Sequence, residues 1–231
     1  MTLLRARDVS VSFGGVHAVD NVDLTIAEGC LVGCIGPNGA GKTTLVDALT
    51  GFVTSTGRVE INGRDLSKSA PHERARAGLV RTWQSIELFD DLTVWENTRV
   101  AAATDSDAEF ALSLLDLFDL RENVPAELSY GVRKLVGIAR ALAARPQVCC
   151  LDEPAAGLDS NESAALGVRL RHIIDAGTAL LLVDHDMGLV MNVCDEIYVI
   201  ESGSVIAHGA PAEIACDERV VAAYLGEGAR P

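Results

Sequence analysis

One bend of the chain combines three glycines, a lysine and two threonines in the segment GPNGAGKTT. Its spacing, through Gly36, Gly41, Lys42 and Thr43, fits the pattern G-x-x-x-x-G-K-[ST] of a phosphate-binding loop. Glycines leave backbone N–H groups uncovered and accept positive φ angles. Lys42 adds a positive charge, and a helix predicted to begin there directs its positive end toward the same place. We therefore predict that this bend binds a polyphosphate.

Two adjacent acids, Asp152 and Glu153, follow the apolar run VCCL. Ligands bind at the carboxyl edge of an open parallel sheet, which is where these two side chains are expected. Two carboxylates can divide the chemistry there, because Asp152 can hold Mg²⁺ and Glu153 can take a proton from an attacking water. The alternative is a solvated strand end, which the phosphate-binding pattern earlier in the chain disfavours.

The segment LSYGVRK offers a second place for an anion. Ser129 and Gly131 present a hydroxyl group and a bare amide where an amphipathic helix is predicted to begin. Asp152 follows Ser129 by 23 residues, a distance that fits one helix, a turn at Pro146 and one strand. Ser-x-Gly is also a common helix cap, and the spacing alone leaves both interpretations open.

The hydrophobic pattern predicts the frame that positions these groups. Apolar strands that alternate with helical segments indicate a mostly parallel sheet covered by helices. The predicted buried strands are CLVGCIG, QVCCLDE and TALLLVDH, and an antiparallel pair, LLRARDVSVSF with AVDNVDLTIAEG, precedes them. Residues from about 82 to 145 look mostly helical, so we expect a helical lobe that interrupts an α/β core formed by residues 1–81 and 146–231.

The ends of several elements can also be predicted. A helix from Lys42 should stop at Gly51, and Ser106 with Glu109 forms a capping-box pattern at the start of SDAEFALSLLDLF. Gly203 predicts a hairpin in EIYVIESGSVIAHG. Short helices are expected in PAEIACDERVVAAYLGE, at the end of the chain.

Composition limits the functional classes. The chain has 231 residues and a net charge of −14, which argues against the non-specific nucleic-acid binding that needs a basic face. No apolar run approaches the ~18 residues of a membrane span, and the N-terminus lacks a signal-peptide core. We expect a cytoplasmic protein that reaches a membrane only through a partner. The six cysteines form no C-x-x-C pattern, so buried apolar side chains are expected rather than a metal or disulfide framework.

Further motifs complete a familiar order. A phosphate-binding loop, a glutamine, LSYG, LDEP, a GLD turn and a histidine after a strand follow one another along essentially the whole chain. This order resembles the ATP-binding cassette (ABC) ATPases. The segments FGGVHAV, RTWQSIELFDDLTVWEN, LDEPAAGLDS, VDHDM and AYLGE further resemble the ATP-binding subunits of branched-chain amino-acid uptake transporters.

The resemblance implies a fold and a set of ligands. The fold is α/β, with a P-loop NTPase core, a mostly parallel sheet, an N-terminal antiparallel β subdomain and an inserted helical subdomain, all in one domain of residues 1–231. ATP and Mg²⁺ are the implied ligands. Thr43, Gln84 and Asp152 are the implied contacts of the ion.

The resemblance also implies roles for single residues. Phe13 matches the aromatic residue that stacks on adenine, and Gln84 matches the glutamine that senses Mg²⁺ and the attacking water. His185 matches the histidine that contacts the γ-phosphate, and Glu153 the catalytic base. Asp159 matches the turn aspartate that reaches the other subunit. The residues that match the nucleotide-binding loop are Gly36, Pro37, Asn38, Gly39, Ala40, Gly41, Lys42, Thr43 and Thr44.

Two protein partners follow from the resemblance. A second ATPase subunit, either a copy of this chain or a paralogue, would pack head to tail, so that Ser129 and Gly131 of one subunit face the γ-phosphate on the loop of the other. Residues 83–95 match the groove that receives a helix from a transmembrane permease subunit, and this apolar segment suits such docking. Packing of the helical lobe is the alternative for its apolar residues.

The expected function is an ATPase subunit that powers a membrane importer of branched-chain or other hydrophobic amino acids, peripheral on the inner face of the cell membrane. Two alternatives stay open: the ATPase of a lipid or polysaccharide exporter, and a soluble ABC ATPase outside transport. Two features depart from the family pattern. Val132 replaces the usual glutamine of the LSYGQ signature, and the helical lobe is short for the branched-chain amino-acid group.

Overall fold

The computed structural model describes residues 1–225, so Gly226 and Glu227 of the predicted terminal helices lie outside the described residues. Within this part of the chain, strands and helices alternate after an initial hairpin. The strands are β1 Thr2–Phe13, β2 Val16–Ala27, β3 Leu31–Ile35, β4 Thr56–Ile61, β5 Arg64–Asp65, β6 Leu79–Arg81, β7 Val148–Asp152, β8 Ala179–Val183, β9 Glu196–Glu201 and β10 Ser204–Gly209.

The helices lie mainly between the strands of the larger sheet, as the alternating pattern predicts. They are α1 Lys42–Thr50, α2 Pro71–Arg76, α3 Val94–Arg99, α4 Asp105–Leu114, α5 Tyr130–Leu142, α6 Ser160–Asp175, α7 Met187–Val193, α8 Pro211–Cys216 and α9 Glu218–Leu225. None of the helices in residues 1–225 combines the length and the apolar character that crossing a bilayer requires.

Two sheets form the frame. One has four strands in the order β2-β1-β4-β5, and its pairs are antiparallel. The other has six strands in the order β10-β9-β3-β8-β7-β6, in which only the β9–β10 pair is antiparallel. The predicted α/β fold with a mostly parallel sheet is therefore confirmed. The carboxyl ends of β3, β7 and β8 share one edge of this sheet.

The core lies on both faces of the six-stranded sheet. Alternate residues of β3 point to opposite faces, so that Leu31 and Ile35 join a cluster with α5 and α6, and Val32 and Cys34 join a cluster with α1 and the antiparallel sheet. Four of the six cysteines are buried in these clusters, as predicted. The prediction was wrong for Cys216, which is exposed.

The first helix within residues 82–145 begins at Val94. Residues 82–93 form no helix, and α3, α4 and α5 then pack together through buried apolar side chains. The predicted capping box of Ser106 and Glu109 was wrong, because Thr104 caps α4 and exchanges hydrogen bonds with Asp107 instead. Thr104 Oγ1 accepts from the Asp107 N–H at 3.3 Å, and Asp107 Oδ2 accepts from the Thr104 N–H at 3.1 Å. The same motif two residues earlier moves the helix start to Asp105.

Gly36, at the end of β3, has a φ of 154°, and a Cβ added there would overlap the carbonyl oxygen of Ile200 in β9. Replacing Gly36 by alanine is expected to lower the free energy of unfolding by about 3 kcal/mol or more, because the backbone of a central strand cannot withdraw. Gly63→Ala is the matched control, since Gly63 has a φ of 75° in an open turn. A loss of about 1–2 kcal/mol is expected for it. Urea denaturation of both variants measures the difference, and equal losses would contradict the close packing against β9.

Candidate functional site

The loop after β3 is fixed by its neighbours before α1 begins. The Ala40 carbonyl accepts a hydrogen bond from the Gly203 N–H at 2.9 Å. Gly41 has a φ of 104°, and a Cβ there would overlap the carbonyl oxygen of Ala18. Helix α1 then starts without a side-chain cap. An uncapped first turn presents its N–H groups to an anion, as the sequence predicts for this bend.

Lys42 lies inside this loop rather than in solvent. Lys42 is 7% exposed. Its Nζ donates to the carbonyl oxygens of Gly36 at 2.8 Å and Pro37 at 2.9 Å. The ammonium group is therefore held at the centre of the loop by the chain itself. A phosphate group there would meet both the cation and the helix N-terminus.

The loop meets the end of β7 through two oxygen-bearing side chains. Thr43 Oγ1 donates to Asp152 Oδ1 over 3.4 Å. Arg81, at the end of β6, pairs its Nη2 with Asp152 Oδ2 at 2.9 Å and also forms an ion pair with Asp47 of α1. The side chains of Arg81 and Asp152 are 4% and 1% exposed. Burial raises the pKa of Asp152, and the Arg81 cation opposes that rise.

Glu153 and Gln84 are in direct contact at the same edge. Gln84 Nε2 donates to Glu153 Oε2 at 2.6 Å. Glu153 has a φ of 49°, a left-handed conformation that is unusual for this residue type. Its N–H donates to the Val183 carbonyl at 2.7 Å, which fixes the turn after β7 against the end of β8. The structure thus brings together two predicted residues that are far apart in sequence.

His185 follows β8 and presents its ring to solvent, with 59% of the side chain exposed. Its Nδ1 lies 3.8 Å from Oδ1 of Asp184, which is fully buried. The Asp184 carboxylate accepts hydrogen bonds from the N–H groups of Ala155 at 2.9 Å, His185 at 2.8 Å and Asp186 at 3.0 Å. Asp184 therefore joins the turn after β7 to the turn after β8.

Two other predicted residues cap helices within the chain. Ser129 Oγ accepts from the Val132 N–H at 3.3 Å at the start of α5, and Asp159 accepts from the Glu162 N–H at 2.9 Å at the start of α6. Both side chains are exposed. A Cβ added at Gly131 would approach Glu162 Oε1 at 3.1 Å, so the two caps lie against each other.

Phe13 and Val132 differ in how far their side chains are exposed to solvent. Phe13 stands at the end of β1 and is 56% exposed, which leaves a flat aromatic face for a ligand. Val132, at the position of the signature glutamine, is partly buried and packs against the core. Its side chain has no polar group to offer a ligand.

A cavity of about 540 Å³ extends from the sheet edge along residues 82–89. Gln84 and Glu153 line it, as do Trp83 and Phe89, which are 44% and 52% exposed. Trp95, in contrast, packs against the core as part of the helical segment. The apolar residues predicted to face a partner are thus divided between an open groove and internal packing.

Comparisons with known proteins give a consistent result. A family model described as "ABC transporter" matches residues 19–156, and one described as "Branched-chain amino acid ATP-binding cassette transporter" matches residues 204–230. The high-affinity branched-chain amino acid transport ATP-binding protein LivG of Salmonella typhimurium is 37% identical over 97% of this chain and 98% of its own. The lipopolysaccharide export system ATP-binding protein LptB of Escherichia coli is 36% identical over the full length of both chains.

The chain belongs to the ABC transporter family. A solved structure of the ADP conformation of an ATP-binding cassette of an ABC transporter matches it with a TM-score of 0.91 at 30% identity, over 98% of this chain and 100% of that one. The chain is therefore an ABC ATPase that binds and hydrolyses ATP, and the predicted family and P-loop NTPase fold are confirmed. The roles of single residues and the limits of the helical lobe stay predictions.

The side chains of this ABC ATPase fit a magnesium–nucleotide complex. In residues 1–225 no group of three or more His, Cys, Asp or Glu could hold a metal ion alone. Thr43 and Asp152 nevertheless place two oxygen ligands beside the phosphate-binding loop. Mg²⁺ is usually held by one or two protein oxygens together with substrate phosphates and water, and these two oxygens fit that coordination pattern.

Three charged residues of the site were missed by sequence reasoning: Arg81, Lys134 and Asp184. Arg81 ends a strand of three residues, which is too short for a periodic signal. Lys134 lies on the inner side of the amphipathic helix α5 and Asp184 directly follows the apolar strand β8, so each places a charge within a buried pattern. A charge within a buried pattern was the available signal, because buried charges need partners.

Arg81→Met is expected to lower the free energy of unfolding by about 3–5 kcal/mol, because it leaves Asp152 buried without its cation. Arg58→Met removes an exposed arginine that also pairs with two acids, and a loss of about 1 kcal/mol or less is expected there. Urea denaturation without nucleotide compares the two variants. A loss at Arg81 as small as that at Arg58 would show that the Asp152 pair does not support the fold.

Proposed function

We propose that this ABC ATPase hydrolyses ATP through Glu153 and thereby powers a membrane importer of branched-chain or other hydrophobic amino acids. The observation that carries the catalytic part is the 2.6 Å hydrogen bond between Gln84 and Glu153, next to Asp152 and the phosphate-binding loop. An acid, an amide and a cation at one sheet edge match the requirements of phosphoryl transfer to water.

In this proposal the nucleotide lies along the loop of residues 36–44. The loop N–H groups and Lys42 neutralise charge on the β- and γ-phosphates, and Phe13 stacks on the adenine ring. Thr43, Asp152 and Gln84 would hold Mg²⁺, which would supply positive charge beside the phosphate oxygens.

Glu153 accepts the proton of the attacking water in the proposed reaction. Its Gln84 partner orients the carboxylate and the water, and His185 contacts the γ-phosphate from the next strand end. The geometry supports these roles, because both β7 and β8 end at the edge where the loop begins. General-base assistance typically contributes a factor of about 10²–10⁴ in rate.

A second ATPase subunit completes the proposed site, packed head to tail. Ser129 and Gly131 would contact the γ-phosphate bound by the partner, and Asp159 would cross to it. The exposed caps of α5 and α6 support this arrangement, because the Ser129 and Asp159 side chains are open to contact with another chain. ATP would then join the two subunits, and loss of the γ-phosphate would release them.

Glu153→Gln is expected to keep ATP affinity but to hydrolyse ATP about 10²–10⁴-fold more slowly, because the amide cannot accept the proton of the water. The variant should accumulate as an ATP-bound dimer. Steady-state phosphate release and size-exclusion chromatography in Mg·ATP measure both effects, and the exposed Glu122→Gln serves as the control. Full turnover by Glu153→Gln would show that another group is the base.

The amino-acid substrate rests on two similarities. The name of the relative LivG describes it as a branched-chain amino acid transport protein. The family model that matches residues 204–230 is described in the same terms. Permease subunits of an importer would dock in the groove lined by Trp83 and Phe89, and the chain would then lie at the inner face of the cell membrane.

A lipopolysaccharide-type exporter is the second candidate, and chain length favours it. LptB aligns over 240 positions and LivG over 250, whereas this chain has 231 residues, so LivG contains more residues that this chain lacks. This agrees with the short helical lobe seen in the sequence. A soluble ABC ATPase that acts on nucleic acid is less favoured, given the net charge of −14.

Affinity purification from membranes in the presence of ATP distinguishes the two transporters. Recovery of amino-acid permease subunits is expected, and recovery of lipopolysaccharide export subunits would overturn the importer. Phe89→Ala should weaken docking by about 2 kcal/mol or more, because Phe89 is a half-exposed aromatic in the groove. Val168→Ala removes a similarly exposed side chain from α6 and should leave recovery unchanged.

A further inference from the structure

Lys134 is a buried lysine outside the nucleotide-binding loop. Among the three lysines of the chain, Lys42 lies in the loop, Lys68 is exposed, and Lys134 is 8% exposed on α5. Burial lowers the pKa of Lys134, and the nearby Asp184 and Glu153 oppose that change. Its Nζ donates to the backbone carbonyl of Glu153 at 2.9 Å. A buried ammonium group is costly without such a partner, so this contact defines the position of the side chain.

The residue that Lys134 holds has an unfavourable backbone conformation. Glu153 has a φ of 49°, which costs a side-chain-bearing residue about 1–2 kcal/mol. Three contacts oppose relaxation: the Glu153 N–H donates to Val183, and the Glu153 carbonyl accepts from Lys134 and from the Ala156 N–H at 3.2 Å. The first contact comes from β8, the second from α5 and the third from the turn itself. The direction of the Glu153 side chain depends on this turn.

Asp184 fixes the other end of the same segment. Its Oδ2 accepts from the Ala155 N–H, two residues after Glu153, and its Oδ1 accepts from the His185 and Asp186 N–H groups. A buried cation and a buried anion thus hold the backbone of residues 153–155 from two sides. Both charges are held by hydrogen bonds to backbone rather than by solvent.

We propose that Lys134 is a positioning residue for Glu153: its ammonium group holds the Glu153 carbonyl, and thereby the left-handed turn that aims the carboxylate at the attacking water. The inference rests on the proposed role of Glu153 as the base. Lys134 also lies on the helix that Ser129 caps, so α5 connects the turn proposed to contact the partner's nucleotide with the chain's own carboxylate.

Lys134→Met tests the inference in the full-length chain. The expected result is a kcat about tenfold to hundredfold lower with KM for ATP and nucleotide affinity within about twofold, because only the aim of Glu153 changes. Lys134→Arg keeps a donor and a charge and should restore most of kcat. Lys68→Met, an exposed lysine of the antiparallel-sheet region, should behave like the unaltered protein.

A second variant set separates positioning from folding. If Lys134 acts through Glu153, adding Lys134→Met to Glu153→Gln should not slow the residual hydrolysis further, and Lys134→Met alone should accumulate as an ATP-bound dimer on size exclusion. Should Lys134→Met fail to fold, Lys134→Gln, which keeps an N–H donor, is expected to lose about tenfold in kcat at unchanged KM.

Two results would overturn the inference in distinguishable ways. If the double variant is slower than Glu153→Gln by the full factor that Lys134→Met loses alone, Lys134 does not act through Glu153. The same conclusion follows if Lys134→Met keeps full kcat while Glu153→Gln is slow. Full turnover in Glu153→Gln would instead remove the proposed base, and the positioning role would fail with it.

Discussion

The parallel pairing of β3, β8 and β7 is the constraint on which the rest of the molecule depends. Parallel strands end together, so the loop of residues 36–44, the Asp152–Glu153 turn and the Asp184–His185 turn meet at one edge although they are distant in sequence. Val183 of β8 pairs with Asp152 of β7 on one side and with Cys34 of β3 on the other. A shift by one residue would turn the buried side chains of each strand to the opposite face. The same pairing that buries the core therefore assembles the site.

Each buried charge at this edge has a partner, which is either an oppositely charged side chain or a backbone group. Arg81 neutralises Asp152 directly, whereas Lys134 and Asp184 are held by carbonyl and N–H groups of the turns they position. A buried charged group lowers the stability of the fold when its partner is lost, and it has little net effect on stability when every partner is present. The arrangement that satisfies these buried charges also has Gln84 hydrogen-bonded to Glu153.

Local patterns were sufficient to predict much of this molecule. The glycine-rich loop, the apolar strands and the start of α1 at Lys42 are encoded over a few residues each, and the structure has them as predicted. The cap of α4 was misplaced, because Ser106 and Thr104 offer the same motif two residues apart and only packing selects one. Arg81 and Lys134 were missed, since their partners are brought near only by the folded sheet. The transported molecule stays a proposal, because an amino-acid transport protein and a lipopolysaccharide export protein are almost equally similar to this chain.

The two carbonyl oxygens that hold Lys42 have a consequence for turnover. The ammonium group already has acceptors in Gly36 and Pro37, so in the proposed complex a nucleotide would exchange one set of oxygens for another instead of satisfying an isolated cation. Part of the attraction would thereby be cancelled in advance, which would moderate affinity for the triphosphate and for the diphosphate alike. After hydrolysis the same carbonyls would accept the ammonium group again, and departure of the product would leave no unpaired charge behind.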